Sequence, residues 1–439
     1  MKYMTAGELR GASLVAIVDD VPAGLRLQAA SIQADLDRWS HGCSCGEQRE
    51  VDCAAILSGV SADGRTTGSP LSLVVDNAAY RASLEDEAPG QAAVPRPGSA
   101  DLAGLLATDA NDCRAIAEGS SVRAHAALVA ASAVAREFLA EFGVEIQSYV
   151  TRIGAAAMRE QPIDFETLRY TPLEIESSPV RCPSAQASRA MEEEIAAARA
   201  AGDTLGGEVA VVIHGIAPAL GSYRGGGMMA CLSKAAFSAR DVVSVSFGSA
   251  RDMMRRRGSA VYDSAVLGAH GFAHTTNMSG GIEGGLTTGT SVVMRVGVAP
   301  SASLRAPQKS IDLETLSDAE SFSAAYSPCL VGGVAVARHR AAGAADAAAL
   351  AAVLPVEAQI TASAPSRTAA LTAHVIPRSL NEPVGLAPSS LSHTSAPTRS
   401  DTRSASRSGV EPSSSDTTGS PGANGSRSRK RSMRPIRLR

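Results

Sequence analysis

The residues of this chain that can bind an anion through their backbone lie in a glycine-rich stretch, residues 277–289, which reads NMSGGIEGGLTTG. Glycine lacks a Cβ atom, so its backbone can adopt positive φ and approach a ligand closely. Successive N–H groups of such a turn can surround an anion. A Val-rich run at 291–298 predicts a strand directly afterwards, which places the stretch at a sheet edge. A plain glycine-rich connection between two strands explains the same composition.

A second stretch with ligand-binding chemistry is HGCSCGEQREVDC at residues 41–53. Its imidazole and thiols, from His41, Cys43, Cys45 and Cys53, are groups that zinc prefers. Structural zinc sites usually space two cysteines as C-x₂₋₄-C, whereas this stretch has C-x-C. The spacing therefore favours cysteines of a solvated loop, and we predict no metal site.

The composition indicates a large folded body in a reducing compartment. The chain has 439 residues, of which 44% are hydrophobic and only 3% aromatic, so the core must consist of Ala, Val and Leu. No apolar run is long enough to cross a bilayer, and the first residues lack the apolar segment of a secretory signal. The seven cysteines suggest no disulfide framework. We therefore expect a cytoplasmic protein.

The charge is distributed unevenly between the body and the C-terminal segment. Residues 377–439 contain 11 Lys or Arg and 4 Asp or Glu, a local charge of +7, so the formal net charge of −3 leaves −10 on the rest. From residue 355 the chain is rich in Ser, Pro, Ala and Arg without apolar periodicity, which predicts disorder. We predict a folded domain at 1–354 and a disordered tail at 355–439. Nucleic-acid binding by the basic end is less favoured than a solvated tail.

Hydrophobic periodicity predicts the elements that hold these stretches in place. Residues 4–18 are predicted as a loop followed by an apolar strand. The predicted helices are 31–39, an Ala-rich buried helix at 124–142 that ends at Gly143, and 185–201, which ends at Gly202. Further strands are predicted at 71–75, 209–213 and 291–298.

Several motifs of the chain resemble the chorismate synthase family. The glycine-rich stretch is similar to the family's Asn-Arg-x-Gly-Gly-Ile-x-Gly-Gly, and TAGELRG near the N-terminus is similar to Thr-x-Gly-Glu-Ser-His-Gly. ILSGV, PRPGSAD, DCRAIAEGSSVR, SPVRCP and AGDTLGG resemble further motifs of the family. The resemblance extends over about residues 1–340.

This resemblance implies an α+β fold, a β-α-β sandwich in which two sheets enclose a layer of helices, assembled as a homotetramer. It implies reduced FMN as the cofactor and an association with NADP. The implied reaction is the 1,4-anti elimination of phosphate from 5-enolpyruvylshikimate-3-phosphate, which gives chorismate in the shikimate pathway of aromatic amino acid biosynthesis. That chemistry needs cations around phosphorylated ligands, a proton donor and a base.

The resemblance also assigns site residues, position by position. Arg49 matches an arginine that binds the substrate phosphate. The positions that match cofactor-binding residues are Ser120, Ser121, Arg123, Gly284, Pro300 and Ser303.

The chain departs from the family at the residues that carry the chemistry. Arg10 and Ala110 stand where the family has two histidines, and Ser327 replaces an acidic partner, so no catalytic residue is retained. Ser99 replaces another family histidine. Of the histidines in this chain, His270 and His274 are the only candidates to take over proton transfer from the two that are lost. Family cations are replaced at Cys45, Gly119, Ala299 and Ala325.

These departures predict a chorismate synthase whose catalysis and FMN binding are impaired. The alternative is a non-catalytic paralogue that keeps the fold for ligand binding or subunit association.

Overall fold

The computed structural model describes residues 1–41, 52–77, 80, 91–159, 170–225, 227–239, 241–268 and 271–322. All of them belong to one compact unit, Met1–Arg378. Helices and strands are mixed along this part of the chain, which confirms the predicted mixture of helix and sheet. Position 49, position 327 and the predicted tail lie outside the described residues.

The described helices carry both the buried core and the candidate site. They are α1 Ala29–His41, α2 Asp101–Thr108, α3 Cys113–Gly119, α4 His125–Ala140, α5 Pro172–Glu176, α6 Ala185–Ala201, α7 Met228–Ser238 and α8 Ala250–Met253. None of the helices in this described part is both long and apolar enough to span a bilayer.

The strands of the N-terminal region form an antiparallel sheet in the order β1-β2-β4-β3. Its members are β1 Lys2–Ala6, β2 Ser13–Asp19, β3 Ala54–Ser58 and β4 Leu71–Asp76. Alternate residues of β2 and β4, such as Leu14 and Leu73, are fully buried, as the period of two of a half-buried strand requires. The prediction of a loop before β2 is wrong in part, because residues 2–6 pair with β2 as an exposed edge strand.

A second antiparallel sheet has the order β6-β5-β7-β13-β8. Its members are β5 Glu145–Ile153, β6 Ala156–Ala157, β7 Gly207–His214, β8 Val242–Phe247 and β13 Val292–Val298. The central strand β7 is a nearly continuous buried run of Val and Ile, paired with β5 on one side and β13 on the other.

The remaining strands form three small hairpins. They are β9 Ala265–Gly268 with β10 Gly271–His274, β11 Ile282–Glu283 with β12 Leu286–Thr287, and β14 Gln308–Asp312 with β15 Ser317–Ser321.

Helix α4 forms the centre of the core, as its Ala-rich sequence predicted. It contacts α1, the strands β2 and β4 of the first sheet, and β5 of the second. Most of its residues are buried, because small Ala side chains let the strands approach the helix closely. His125, at its first position, is 8% exposed and so belongs to the core.

The predicted helices and strands are confirmed with small shifts at their ends. The predicted helix at 31–39 is α1, that at 124–142 is α4, and Ala185–Ala201 is reproduced as α6. Gly202 ends α6 with φ 69°, a conformation that favours glycine, and β7 begins at Gly207.

Candidate functional site

The glycine-rich stretch folds as a tight hairpin. Ile282 pairs with Thr287 and Glu283 with Leu286, so Gly284 and Gly285 form a two-residue turn. Both have positive φ, 56° and 86°, the combination that a type I′ turn requires. A Cβ added at Gly284 would meet nothing within 4 Å, which leaves open space beside the turn.

The first glycine pair of the stretch serves close packing. A Cβ at Gly280 would lie 2.9 Å from the Val293 carbonyl oxygen, and one at Gly281 would lie 2.6 Å from that of Ser291. The buried Asn277 donates from Nδ2 to the Ser291 carbonyl at 2.8 Å. Only glycine allows this approach to β13, so the pair fixes the turn against the second sheet.

The N–H groups at the start of the stretch bind an anion that belongs to the chain itself. Met278 and Ser279 donate their backbone N–H groups to the Asp263 carboxylate at 2.7 and 2.8 Å, and the Thr276 hydroxyl donates to it as well. The predicted anion-binding nest therefore corresponds, at these two residues, to an internal carboxylate. The sequence reasoning missed Asp263 because no local motif marks it.

Replacing Asp263 is expected to loosen this stretch. Burial raises the pKa of Asp263, but hydrogen bonds from Thr276, Ser279 and Met278 outweigh it and hold the pKa below its ordinary value of 3.8. The Asp263→Asn variant places an N–H donor against these donors, so we expect a loss of about 1–3 kcal/mol in the free energy of unfolding at pH 7. Urea unfolding measures this loss, with Asp252→Asn as the matched exposed control.

The sign of the pH dependence follows from the lowered pKa. The contribution of Asp263 is fully present above pH 3.8 and is lost as the pH falls through the lower pKa of the folded state. The difference between the two proteins should therefore shrink below pH 3.8. Equal stability of Asp263→Asn and the unmodified protein at pH 7 would contradict this role.

Position 10, where the family has a histidine, forms an ion pair. Arg10 Nε lies 3.5 Å from Glu118 Oε1, and the two side chains are 21% and 30% exposed. Glu118 lies in the last turn of α3. A guanidinium keeps its proton at every physiological pH and cannot exchange it. Ala110, the second family position, precedes α3 and has no side chain that transfers protons.

The start of α3 is held by an aspartate of the matched motif. The Asp112 side chain accepts from the Arg114 backbone N–H as an N-cap and also pairs with the Arg114 guanidinium at 2.8 Å. This pairing holds the pKa of Asp112 below its usual range. The cap satisfies a helix end that would otherwise lack a partner.

Three of the predicted cofactor residues follow α3 directly. The Ser120 hydroxyl donates to the Ala117 carbonyl at 3.4 Å, and the Ser121 hydroxyl accepts from the Arg123 backbone N–H at 3.2 Å. The Arg123 guanidinium forms an ion pair with Asp52, whose side chain is 3% exposed. The structure thus places these residues together, with the cation already paired.

Of two further predicted residues, Ser303 lies beside the loop that carries PRPGSAD and Pro300 lies beside Gly206. Ser303 Oγ accepts from Arg96 Nη1 at 2.9 Å, and Pro300 packs against Gly206. Arg96 also binds Asp101 through Nε and Nη2, both at 2.8 Å. Ser99, at a family histidine position, donates its hydroxyl to the Arg96 carbonyl at 2.7 Å, which makes it a structural turn residue.

Among the predicted cofactor positions, a lost family cation leaves open space beside the backbone, and the cation that is kept is already paired. A Cβ at Gly119, where the family has an arginine, would meet nothing within 4 Å. Among the described positions, Arg123 is the cation of the set, and Asp52 neutralises it. A phosphate dianion needs charged donors that remain available to it, so this donor set does not fit tight FMN binding.

The contacts divide the predicted residues into separate groups. Arg10, Ser120, Ser121 and Arg123 are joined through α3 and its neighbours, while Ser303 belongs to the Arg96 cluster and Gly284 to the hairpin. The resemblance also implies that residues 277–289 border a cleft lined by Ser120, Ser121 and Arg123, and this stays a prediction. Beside the hairpin, His274 Nε2 lies 3.9 Å from Glu283 Oε1; His270 lies outside the described residues.

Comparison with known proteins gives one consistent result. A family model described as chorismate synthase matches residues 1–347. The chorismate synthase of Symbiobacterium thermophilum is 38% identical over 354 residues, which covers 76% of this chain and 90% of that protein. That of Rubrobacter xylanophilus is 39% identical over 346 residues, which covers 76% and 87%. A solved structure described as a crystal structure of chorismate synthase superposes with a TM-score of 0.66 at 25% identity, covering 85% of this chain and 98% of that one.

Proposed function

This chain belongs to the chorismate synthase family, and we propose that it is a chorismate synthase with impaired catalysis. Its substrate is 5-enolpyruvylshikimate-3-phosphate, its cofactor reduced FMN and its product chorismate. The observation that carries the impairment is the Arg10–Glu118 ion pair at a position where the family has a histidine. A fixed cation beside a carboxylate does not take up or release a proton in the physiological range.

The backbone structure at the family motifs supports the same proposal. The Gly280–Gly281 pair is packed against β13, the Gly284–Gly285 turn is a regular hairpin, and α6 ends at its glycine cap. These positions match the family motifs and obey the geometry that their residue types require. At the matched motif positions, the departures include side chains that would transfer protons or bind phosphate.

FMN binding is weakened in this proposal because the cations are missing. Gly119 and Ala299 stand where the family has charged residues, and each charge-assisted hydrogen bond contributes about 1.5–3 kcal/mol. Two such losses weaken binding by more than about 100-fold. Arg49, the proposed contact to the substrate phosphate, and Ala325, a further position where a family cation is replaced, lie outside the described residues and enter the proposal by resemblance only.

A flavin titration tests this part of the proposal. FMN fluorescence is titrated with protein, with and without the phosphorylated substrate, beside the Symbiobacterium thermophilum enzyme. We expect an affinity more than about 100-fold weaker than that of the relative. Gly119→Arg should strengthen binding because the space beside Gly119 is open. The control Ser238→Arg adds the same charge at an exposed position of α7. Tight stoichiometric FMN in the unmodified protein would overturn the proposed weakness.

The second candidate is a non-catalytic paralogue that keeps the fold for ligand binding or subunit association. It is favoured by the contrast between a regular scaffold and the replaced proton-transfer positions. Under this alternative the substrate still binds in the titration, but restored histidines and cations produce no chorismate. Under impaired catalysis they do.

Finer features of the family extend the proposal. We propose the β-α-β sandwich, which the contacts of α4 with strands of both sheets support, and a homotetramer, by resemblance. A cytoplasmic location is supported by Cys113 and Cys182, which are buried free thiols in the described part of the chain. A folded domain at 1–354 and a tail from residue 355 remain part of the proposal.

A further inference from the structure

Arg123 is held by groups from three separate segments of the chain. Its Nε donates to Asn77 Oδ1 at 2.9 Å, its Nη2 donates to the Asp52 carboxylate, and its Cζ lies 5.0 Å from the centre of the Trp39 ring. The side chain is 14% exposed. We propose that Arg123 is a positioning residue, which fixes the loop that carries residue 10, and not a ligand of the cofactor phosphate.

Asn77 connects Arg123 to that loop. Asn77 is fully buried, and its Nδ2 donates to the carbonyl oxygens of Leu9 and Gly11 at 3.0 and 2.7 Å and to that of Glu8 at 3.4 Å. Because Nδ2 faces these carbonyls, Oδ1 faces Arg123 and needs a donor. The Arg123 guanidinium supplies this donor. It thereby fixes the orientation of the Asn77 amide, and the amide in turn fixes the position of the loop.

The backbone of Arg123 reaches the second part of the candidate site. Its N–H donates to Ser121 Oγ at 3.2 Å. One residue therefore links Ser121, at a family cofactor position, with the loop of residue 10, at a family proton-transfer position. The roles of these two segments rest on the proposed function, whereas the hydrogen bonds that join them do not.

Two variants separate the positioning role from a simple need for charge. Arg123→Lys keeps a cation beside Asp52, but an ammonium group cannot also reach Asn77 and stack on Trp39. Asn77→Ala keeps the Arg123–Asp52 pair and removes the amide that links Arg123 to the loop. The matched control is Arg136→Lys, because Arg136 pairs with Asp35 at 3.3 Å between α4 and α1 and is similarly buried.

The experiment is hydrogen–deuterium exchange of the full chain without ligand, followed by mass spectrometry. We expect exchange at residues 8–11 to be about tenfold faster in Arg123→Lys and in Asn77→Ala, the size set by the net strength of one hydrogen bond. Exchange in β7 should stay unchanged in both, and Arg136→Lys should leave residues 8–11 unchanged. Trp39 is the only tryptophan of the chain, so its emission should shift in Arg123→Lys.

Two outcomes overturn the proposal. One is unchanged exchange at residues 8–11 in both variants. The other is weaker FMN binding by Arg123→Lys with unchanged exchange at residues 8–11, because Arg123 would then contact the ligand directly. If Arg123→Lys does not fold, Asn77→Ala decides alone. Because the exchange measurement needs no ligand, a failure of the proposed enzymatic function leaves its result interpretable.

Discussion

With reduced FMN and substrate supplied, the unmodified protein is expected to form no measurable chorismate, and Arg10→His together with Ala110→His is expected to raise the rate. A positioned proton-transfer group contributes about 10²–10⁴-fold to a rate, and the chain lacks both family imidazoles. Groups that act together are not additive, so we expect the two losses alone to lower the rate about 10²–10⁴-fold relative to the Symbiobacterium thermophilum enzyme, and the weakened FMN binding to lower it further.

The gain from the two histidines should be small unless the cations are rebuilt. FMN must bind before the reaction can proceed, and Gly119 and Ala299 lack the charges that would hold it. Adding Gly119→Arg and Ala299→Lys to the double variant should therefore give a larger gain than either pair of changes alone. Chorismate is measured by its absorbance or by a coupled assay under anaerobic conditions.

A control separates the imidazole from the removal of the Arg10–Glu118 ion pair. Arg10→Gln with Ala110→His removes the charge but cannot exchange a proton at position 10. If this variant gains as much as the double histidine variant, the gain does not come from proton transfer. Turnover by the unmodified protein would contradict the prediction. His274→Ala would then test whether the His274–Glu283 pair beside the hairpin supplies the proton.

Local rules made the helix ends and several strands predictable from the sequence. Gly202 follows an Ala-rich helix and precedes a polar turn, and the structure confirms it as a glycine cap with φ 69°. Strand β13 was predicted from its Val residues alone. These features depend on neighbours within a few residues, so a single sequence contains the information.

Contacts between distant residues were not predictable in the same way. The glycine-rich motif predicted N–H donors that bind an anion. The anion they bind is the carboxylate of Asp263, which lies outside that motif. Arg123 matched a cofactor position, yet its guanidinium pairs with Asp52, which lies 71 residues earlier in the chain. The residue type predicted the charge correctly, but only the fold decides which partner neutralises it.

The motif PRPGSAD contains one feature that the sequence predicted and one that only the structure shows. Ser99 replaces a family histidine, and the sequence indicated only that a proton-transfer group was absent. The structure shows what the serine does, since its hydroxyl donates to the Arg96 carbonyl and accepts from the Asp101 N–H at 3.1 Å. The turn is closed by a group that needs no charge. The motif has therefore lost the proton-transfer chemistry of a histidine, while Ser99 keeps the hydrogen bonds that close the turn.

The Arg96–Asp101 pair is a place where one substitution should destabilise the fold strongly. The Asp101 side chain is 1% exposed, and Arg96 binds both of its oxygens through the guanidinium and one through its backbone N–H at 3.0 Å. Burial raises the pKa of Asp101, but the hydrogen bonds from Arg96 outweigh it and hold the pKa below 3.8. Asp101 is therefore a buried carboxylate whose charge depends mainly on Arg96, with a smaller contribution from Ser99.

Arg96→Ala is expected to lower the free energy of unfolding by about 3–5 kcal/mol, because it leaves the Asp101 carboxylate buried without its cation. Urea unfolding at pH 7 measures the loss. The control is Arg256→Ala, whose partner Asp252 is exposed, with an expected loss below about 1 kcal/mol. Replacing both partners by apolar residues, Arg96→Met with Asp101→Leu, should destabilise less than Arg96→Ala alone.

The pH dependence of the stability difference tests whether Arg96 acts through its charge on Asp101. Since the folded-state pKa of Asp101 is lowered, its contribution is fully present above the ordinary value of 3.8 and is lost as the pH falls through the lower folded-state value. In Arg96→Ala the guanidinium is gone, while burial and the backbone N–H bond remain, so the carboxyl group takes up its proton at higher pH than in the unmodified protein. The difference between the two proteins should then narrow as the pH falls from 7 towards 4. A constant difference over that range would mean that Arg96 stabilises the fold by packing and not by its charge on Asp101.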